Sequence, residues 1–367
     1  MATATKTSTK TAKTPKKSKD TINVGIVGSG GIAEGAHMPG YLAVPDVKVI
    51  AVCDVVKERA EKFAEKYDIP KTNVFTDYND IAQMDELDAI SVCTPNNFHA
   101  GPTVAALNAG KHVLCEKPIA GNADDGQAMV DAAKKAKKIL QIGLHLRFMP
   151  SSQLIKKYIE AGTLGQIYYA RAVTMRRRGI PSWGAFVQKK MSGAGPLVDI
   201  GVHELDLIVW LMGCPKPISA AGRTYTMFGN RKDVAVGDWG MWDADNYDVE
   251  DFAVAYINFE NNISATLETS WAAHIVNSGP SFILGDKGGI QTSPFVIATD
   301  KNGSMVDITP QVPRSNEDPH TTEIKAFIKA IKEGAPSPVP GEEALAITKI
   351  FDAVQKSNQT GSMIPIK

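Results

Sequence analysis

Asn23-Val24-Gly25-Ile26-Val27-Gly28-Ser29-Gly30-Gly31-Ile32-Ala33 decides how this chain is read: an apolar run feeds a glycine-rich turn. Gly28, Gly30 and Ala33 fit Gly-x-Gly-x-x-Gly/Ala, in which small residues let the backbone turn tightly and approach a pyrophosphate at a helix N-terminus. Residues 22–27, apolar but for Asn23, read as a continuous rather than alternating run, as in a strand buried on both faces of a parallel sheet. A helix over 32–42 and a strand over 47–53 follow, completing a βαβ unit that ends at Asp54. Asp54 stands 26 positions after Gly28, somewhat beyond the ~20 expected of the acidic residue that accepts from adenosine ribose hydroxyls. A carboxylate there repels a 2′-phosphate, so NAD is expected, with NADP as the alternative because Lys57 and Arg59 lie close in sequence. An aspartate at a strand end also serves as a simple cap for the next helix.

Around this unit the composition is ordinary. The chain has 367 residues, no formal net charge, 43% apolar residues and 22% charged ones, which describes a globular protein of about two domains. Charge neutrality removes the electrostatic case for nucleic acid or an acidic membrane as partner, leaving a small molecule. Residues 1–20 are a Lys/Thr-rich tail without aromatic residues, expected to be disordered. With no secretory core after the tail and no bilayer-length apolar run, a cytoplasmic protein is expected. Cys53, Cys93, Cys115 and Cys214 lack metal-ligand or disulfide spacing, so buried thiols and no metal site are expected.

Two more αβ repeats end at distinctive loops, Thr94-Pro95-Asn96-Asn97-Phe98-His99 and Glu116-Lys117-Pro118. Both belong at the carboxyl edge of the sheet, where open α/β folds bind ligands. A helix over 124–138 and a strand over 140–143 finish this half. Farther on, Asp199-Ile200-Gly201-Val202-His203 spaces an acid and a histidine four apart, on one face of a helical turn. From 217 to 283 strand-like runs alternate with polar turns, and amphipathic helices over 321–333 and 342–357 close the chain.

The glycine turn, Thr94-Pro95-Asn96 with His99, the run Ala109-Gly110-Lys111-His112-Val113-Leu114-Cys115-Glu116-Lys117-Pro118, and Asp199-x-Gly201-x-His203 together resemble the Gfo/Idh/MocA oxidoreductases. The resemblance implies an α/β protein: an N-terminal Rossmann dinucleotide-binding domain over 21–145, then a C-terminal α/β domain over 146–367 with an open, largely antiparallel sheet. That second domain would bind substrate and make a homodimer or homotetramer, its last helix packing back on the body. It assigns the cofactor to Gly28, Gly30, Gly31, Ile32, Asp54, Thr94, Pro95, Asn96, His99, Glu116 and Lys117. A cis Lys117–Pro118 bond is implied as well.

Lys117, Asp199 and His203 are the expected catalytic residues, and residue chemistry agrees with the resemblance. Oxidation of a secondary alcohol needs a base near neutral pH, for which His203 is suited, and a positive group beside the reacting oxygen, for which Lys117 is suited. Asp199 would orient the pair. Arg147, Arg176, Arg178 and Trp183 join Asp199 and His203 as expected substrate contacts. For Arg176-Arg177-Arg178-Gly179-Ile180-Pro181-Ser182-Trp183 a solvated sheet edge competes with a loop at the cleft mouth. For residues 237–245, with Trp239 and Trp242, sugar binding competes with an interface. The expected activity is NAD(P)-dependent dehydrogenation of a sugar, sugar derivative or inositol. The alternatives are a redox-neutral enzyme that cleaves or epimerises a glycoside, and a silent NAD- or sugar-binding regulator.

Overall fold

The computed structural model describes residues 21–184 and 186–367; the expected disordered tail lies outside them. The first half forms a six-stranded parallel sheet from β1 (Ile22–Val27), β2 (Val47–Cys53), β3 (Val74–Phe75), β4 (Ala89–Val92), β5 (His112–Glu116) and β6 (Leu140–Gly143). Their spatial order is β3-β2-β1-β4-β5-β6, the Rossmann order, with its ligand crevice between β1 and β4. Val24 and Ile26 are fully buried, as are Ala89 and Val92 beside them, which is why these strands read as continuous apolar runs.

The segment after the glycine turn is helical over 31–42, but not as a uniform α-helix. A π-helical turn, Ala33–His37, precedes the α-helical Met38–Leu42. The wider turn puts Ala33, Ala36 and His37 into the interior, and such turns are common at functional sites.

The second half is a nine-stranded sheet of β7 (Ile167–Met175), β8 (Pro217–Tyr225), β9 (Phe252–Phe259), β10 (Ser264–Ser270), β11 (Phe282–Gly285), β12 (Gly288–Gln291), β13 (Val296–Lys301), β14 (Ser304–Ile308) and β15 (Ile364–Pro365). Its order is β14-β13-β12-β11-β7-β10-β9-β8-β15. Every pairing is antiparallel except β7 with β10. One face packs on helix Gly201–Leu211; the other leaves Tyr168, Ile218 and Tyr256 exposed.

The chain then returns to the first domain more fully than by one helix. Helix Pro319–Glu333 buries Ile324, Phe327 and Ile328 in the cluster that holds Val24, Ile26, Met38 and Tyr41. Gly40 makes the contact possible, since a β-carbon there would stand 2.3 Å from Ile324 Cδ1. Before helix Gly341–Thr360, Val339 accepts from Ile142 N at the edge of β6.

Candidate active site

The glycine turn is shaped by one steric demand. Gly28 has φ +93°, and a β-carbon on it would lie 2.7 Å from the Cys93 carbonyl at the end of β4, so only glycine fits. Gly30 and Gly31 face open space, with nothing within 4 Å of an added β-carbon, and Ile32 is exposed beside them. Asp54 ends β2 and points back at the turn: its Oδ2 accepts from Ser29 N and Ser29 Oγ, both 2.9 Å, and its Oδ1 accepts from Val56 N. It therefore fixes the turn rather than capping helix Lys57–Lys66, which has no side-chain cap. Thr94 and Pro95 continue from the Cys93 carbonyl that Gly28 abuts.

Lys117 crosses the seam between the domains. Its Nζ donates to the backbone carbonyl and to Oδ1 of Asp199, each at 3.0 Å. A break in the helix makes the first bond available. Pro196–Asp199 and Gly201–Leu211 are two helices that meet at Ile200, not one turn carrying Asp199 and His203 together. His203 N–H donates to the Ile200 carbonyl, leaving that of Asp199 to Lys117. Asp199 Oδ2 accepts from Nε1 of the fully buried Trp271 at 3.1 Å. The Lys117–Pro118 bond is cis.

His203 presents its edge to His145, ring centroids 5.0 Å apart, and His145 stacks on His320 at 3.9 Å. Burial, then the charges of Lys117, His145, His320 and Arg176, push the His203 pKa well below the ordinary histidine value. Its Nδ1 is buried and has no hydrogen-bond partner among the described residues.

Behind the lysine lies a buried polar chain. Tyr41 OH is 2.6 Å from Ser91 Oγ, Ser91 Oγ is 3.1 Å from His37 Nδ1, and His37 Nε2 is 3.0 Å from Glu116 Oε1. Glu116 Oε2 then accepts from Lys117 N. Burial alone would raise the Glu116 pKa, but the His37 bond and the charges of His37, Lys117 and His320 hold it at about 2.

Arg176 lies over the Trp239 ring, 4.5 Å from its centroid, and Trp183 meets Trp239 edge-on at 4.8 Å. The two loops singled out by their composition thus converge. Arg178 is their brace, its Nε donating to Ala235 O and its Nη1 to Arg177 O and Ala273 O.

A family profile described as the oxidoreductase family with an NAD-binding Rossmann fold matches residues 22–144, and the GFO/IDH/MocA C-terminal domain matches residues 152–291. The D-glucoside 3-dehydrogenase of Escherichia coli K12 is 33% identical over 347 residues, covering 94% of this chain and 97% of that protein. The chain belongs to the Gfo/Idh/MocA oxidoreductase family. A Thermotoga maritima myo-inositol 2-dehydrogenase is 27% identical over 342 residues, 92% of this chain and 96% of its own length. The fold is that of levoglucosan dehydrogenase in complex with NADH, with a TM-score of 0.81 at 24% identity over 95% of this chain and 99% of that one. The chain is thus an NAD-binding oxidoreductase.

Within this family framework, several expected contacts are corrected. Arg147 is 2% exposed, and its Nε and Nη2 donate to Asp206 at 2.8 and 2.6 Å while Nη1 donates to Glu343; every nitrogen is occupied in a buried ion pair, none offered to a substrate. His99 is fully buried, between the Pro118 carbonyl at Nδ1 and the Thr94 carbonyl at Nε2, so it ties the two loops together instead of facing a cofactor. Asn96 donates across the seam to Ser192 O at 2.9 Å. Glu116 faces inward, to His37 and the Lys117 amide, and Arg178 spends its donors on loop carbonyls. His37, His145 and His320 escaped sequence reasoning, because each gains its partners only from distant strands or helices.

Proposed function

We propose that this enzyme is an NAD-dependent dehydrogenase that oxidises a secondary hydroxyl of a sugar, sugar derivative or inositol. The observation that carries the reading is the Lys117 ammonium, bridged to Asp199 across the seam and within electrostatic reach of the half-buried His203. The sugar and inositol dehydrogenases among its relatives support the substrate class.

The chain's residues fit a dinucleotide. Gly30 and Gly31 leave backbone open to solvent at the start of a helix, and Gly28 holds the turn against β4, the arrangement a pyrophosphate needs. Asp54 supplies the carboxylate for ribose hydroxyls and repels a 2′-phosphate, which favours NAD over NADP.

When bound, the nicotinamide supplies the hydride acceptor. Lys117 donates to the reacting oxygen and favours its developing negative charge. Asp199, fixed by Trp271, holds the lysine against the seam. His203 is neutral at pH 7, and its Nδ1 is buried without a hydrogen-bond partner among the described residues. As a weak base it takes the hydroxyl proton only as the oxygen becomes carbonyl-like.

The exposed face of the second sheet, carrying Tyr168, Ile218 and Tyr256, suits pairing of two copies into a homodimer or homotetramer. No described helix is long and apolar enough to cross a membrane, and we assign the enzyme to the cytoplasm. The test is to follow NADH and NADPH formation with a panel of sugars, glucosides and inositols. Reduction of NAD by one group of these, with NADP reduced more slowly, is expected. Failure of every compound with both cofactors overturns the proposal.

A further inference from the structure

Three arginines follow β7, and their fates differ. Arg178 gives its donors to three backbone carbonyls, and Arg177 is exposed. Arg176 is partly buried, makes no ion pair among the described residues, and has one hydrogen bond from its guanidinium there, a 3.3 Å contact to Gly179 O. A partly desolvated guanidinium with spare N–H donors calls for an acceptor that is not protein.

Its position says what that acceptor adjoins. Arg176 N donates to Ser270 O at 3.0 Å, and the next residue, Trp271, holds Asp199 through its indole. The Arg176 charge acts on both Asp199 and His203. On its other side the guanidinium rests on Trp239, against which Trp183 stands at 65°. The two indoles are 39% and 52% exposed, although burying aromatic rings is strongly favoured. They are nevertheless held in place: Ser182 Oγ donates to Trp239 O, and Arg178 anchors the same loop at Ala235. Exposed indoles on anchored loops beside spare donors form a surface for a ring with an apolar face and hydroxyls at its rim.

We propose that Arg176, Trp239 and Trp183 form a second subsite, which takes the aglycone or second sugar ring of a glycoside whose first ring reacts at Lys117, Asp199 and His203. The preferred substrates are therefore glycosides carrying a second ring, not free monosaccharides. This inference rests on the dehydrogenase reading above and adds which part of the substrate lies outside the reacting centre.

The test compares the wild-type enzyme with Trp183→Ala and Trp239→Ala, using a hexose, its phenyl glycoside and a disaccharide of it as substrates. For the wild type, KM for the two-ring compounds is expected to lie about tenfold below that for the hexose, as two stacking contacts provide. Each substitution should raise the two-ring KM by about 3- to 10-fold while leaving the hexose KM and every kcat within about twofold, a split that a general loss of structure does not produce. Equal KM values for all three compounds in the wild type, or a proportional rise for all of them in the variants, overturns the proposal. If the wild type oxidises none of them and none of the wider panel above, the dehydrogenase reading fails; in either case the subsite is then decided by indole fluorescence. Saturable quenching by the phenyl glycoside that both variants lose supports it; no quenching overturns it. Sedimentation gives one further outcome: variants that dissociate while keeping the two-ring KM mark these loops as a subunit contact and overturn the proposal.

Discussion

Lys117 Nζ donates to two atoms of a single residue, the carbonyl and the carboxylate of Asp199, at 3.0 Å each. The lysine comes from the edge of the first sheet and the aspartate from a helix end in the second domain, so the pair exists only when the domains are joined. Removing the ammonium takes away the donor we propose at the reacting oxygen but nothing from the glycine turn. Lys117→Ala is expected to lower kcat by about 10²–10³-fold or more. Its NAD affinity, measured by cofactor fluorescence, should stay close to that of the wild type. Undiminished turnover defeats the assignment.

Trp271→Phe keeps the buried ring and deletes one hydrogen bond, from Nε1 to Asp199 Oδ2. A bond to a charged acceptor of this kind contributes about 1.5–3 kcal/mol, and its loss frees the carboxylate to turn. The expected result is a fall in kcat of about tenfold, with KM nearly constant. A kcat equal to the wild-type value would show that the indole merely fills space.

Arg147 offers the opposite contrast, an arginine expected to bind substrate that the fold uses for itself. Arg147→Ala leaves Asp206 buried without its counter-charge, which costs about 3–5 kcal/mol. Chemical denaturation should show that loss. The fraction that remains folded should keep its KM within about twofold, since no nitrogen of this side chain reaches a ligand. A large KM increase at unchanged stability contradicts the assignment.

Acidification tests the buried histidines. Burial, then the charges of His320 and Lys117, lower the His145 pKa from 6.5 to about 4, and burial, then the charges around it, lower His203 well below the same ordinary value. Between these limits the unfolded chain binds protons that the folded chain refuses, so stability falls as pH drops below 6.5, by ~1.4 kcal/mol per unit for each such group. The His145 contribution stops growing below about 4. Glu116 adds a later loss, as pH falls from its ordinary 4.5 toward about 2. Urea midpoints at pH 7, 6 and 5 should fall steadily, and His145→Gln, which cannot titrate, should flatten the slope. Equal slopes for the two proteins refute this account.

The first half of the chain was legible because its signals are local. Runs of mostly apolar residues marked β1 and β2, and small residues at Gly28, Gly30 and Ala33 marked the turn between them. Lys117 and Asp199, from two separate motifs, meet in a hydrogen-bonded pair. Geometry set by distant partners was hidden. The helix break at Ile200 is hidden because the bond that compensates it runs to the Asp199 carbonyl from Lys117, 82 positions earlier than Asp199. His37 has the look of a helix surface residue until the π-helical turn swings it toward Ser91 and Glu116, 54 and 79 positions away. Arg147 misled for the same reason, since its partners Asp206 and Glu343 lie 59 and 196 positions along the chain.

The placement of Ile324, Phe327 and Ile328 inside the cluster around β1 governs how the protein can be made. The cofactor-binding lobe borrows part of its interior from the far end of the polypeptide, so it cannot be cut out as a cassette or exchanged between relatives without helix Pro319–Glu333. During synthesis the same dependence sets an order of events: the glycine turn leaves the ribosome first, but the lobe behind it stays incomplete until helix Pro319–Glu333 has been translated as well.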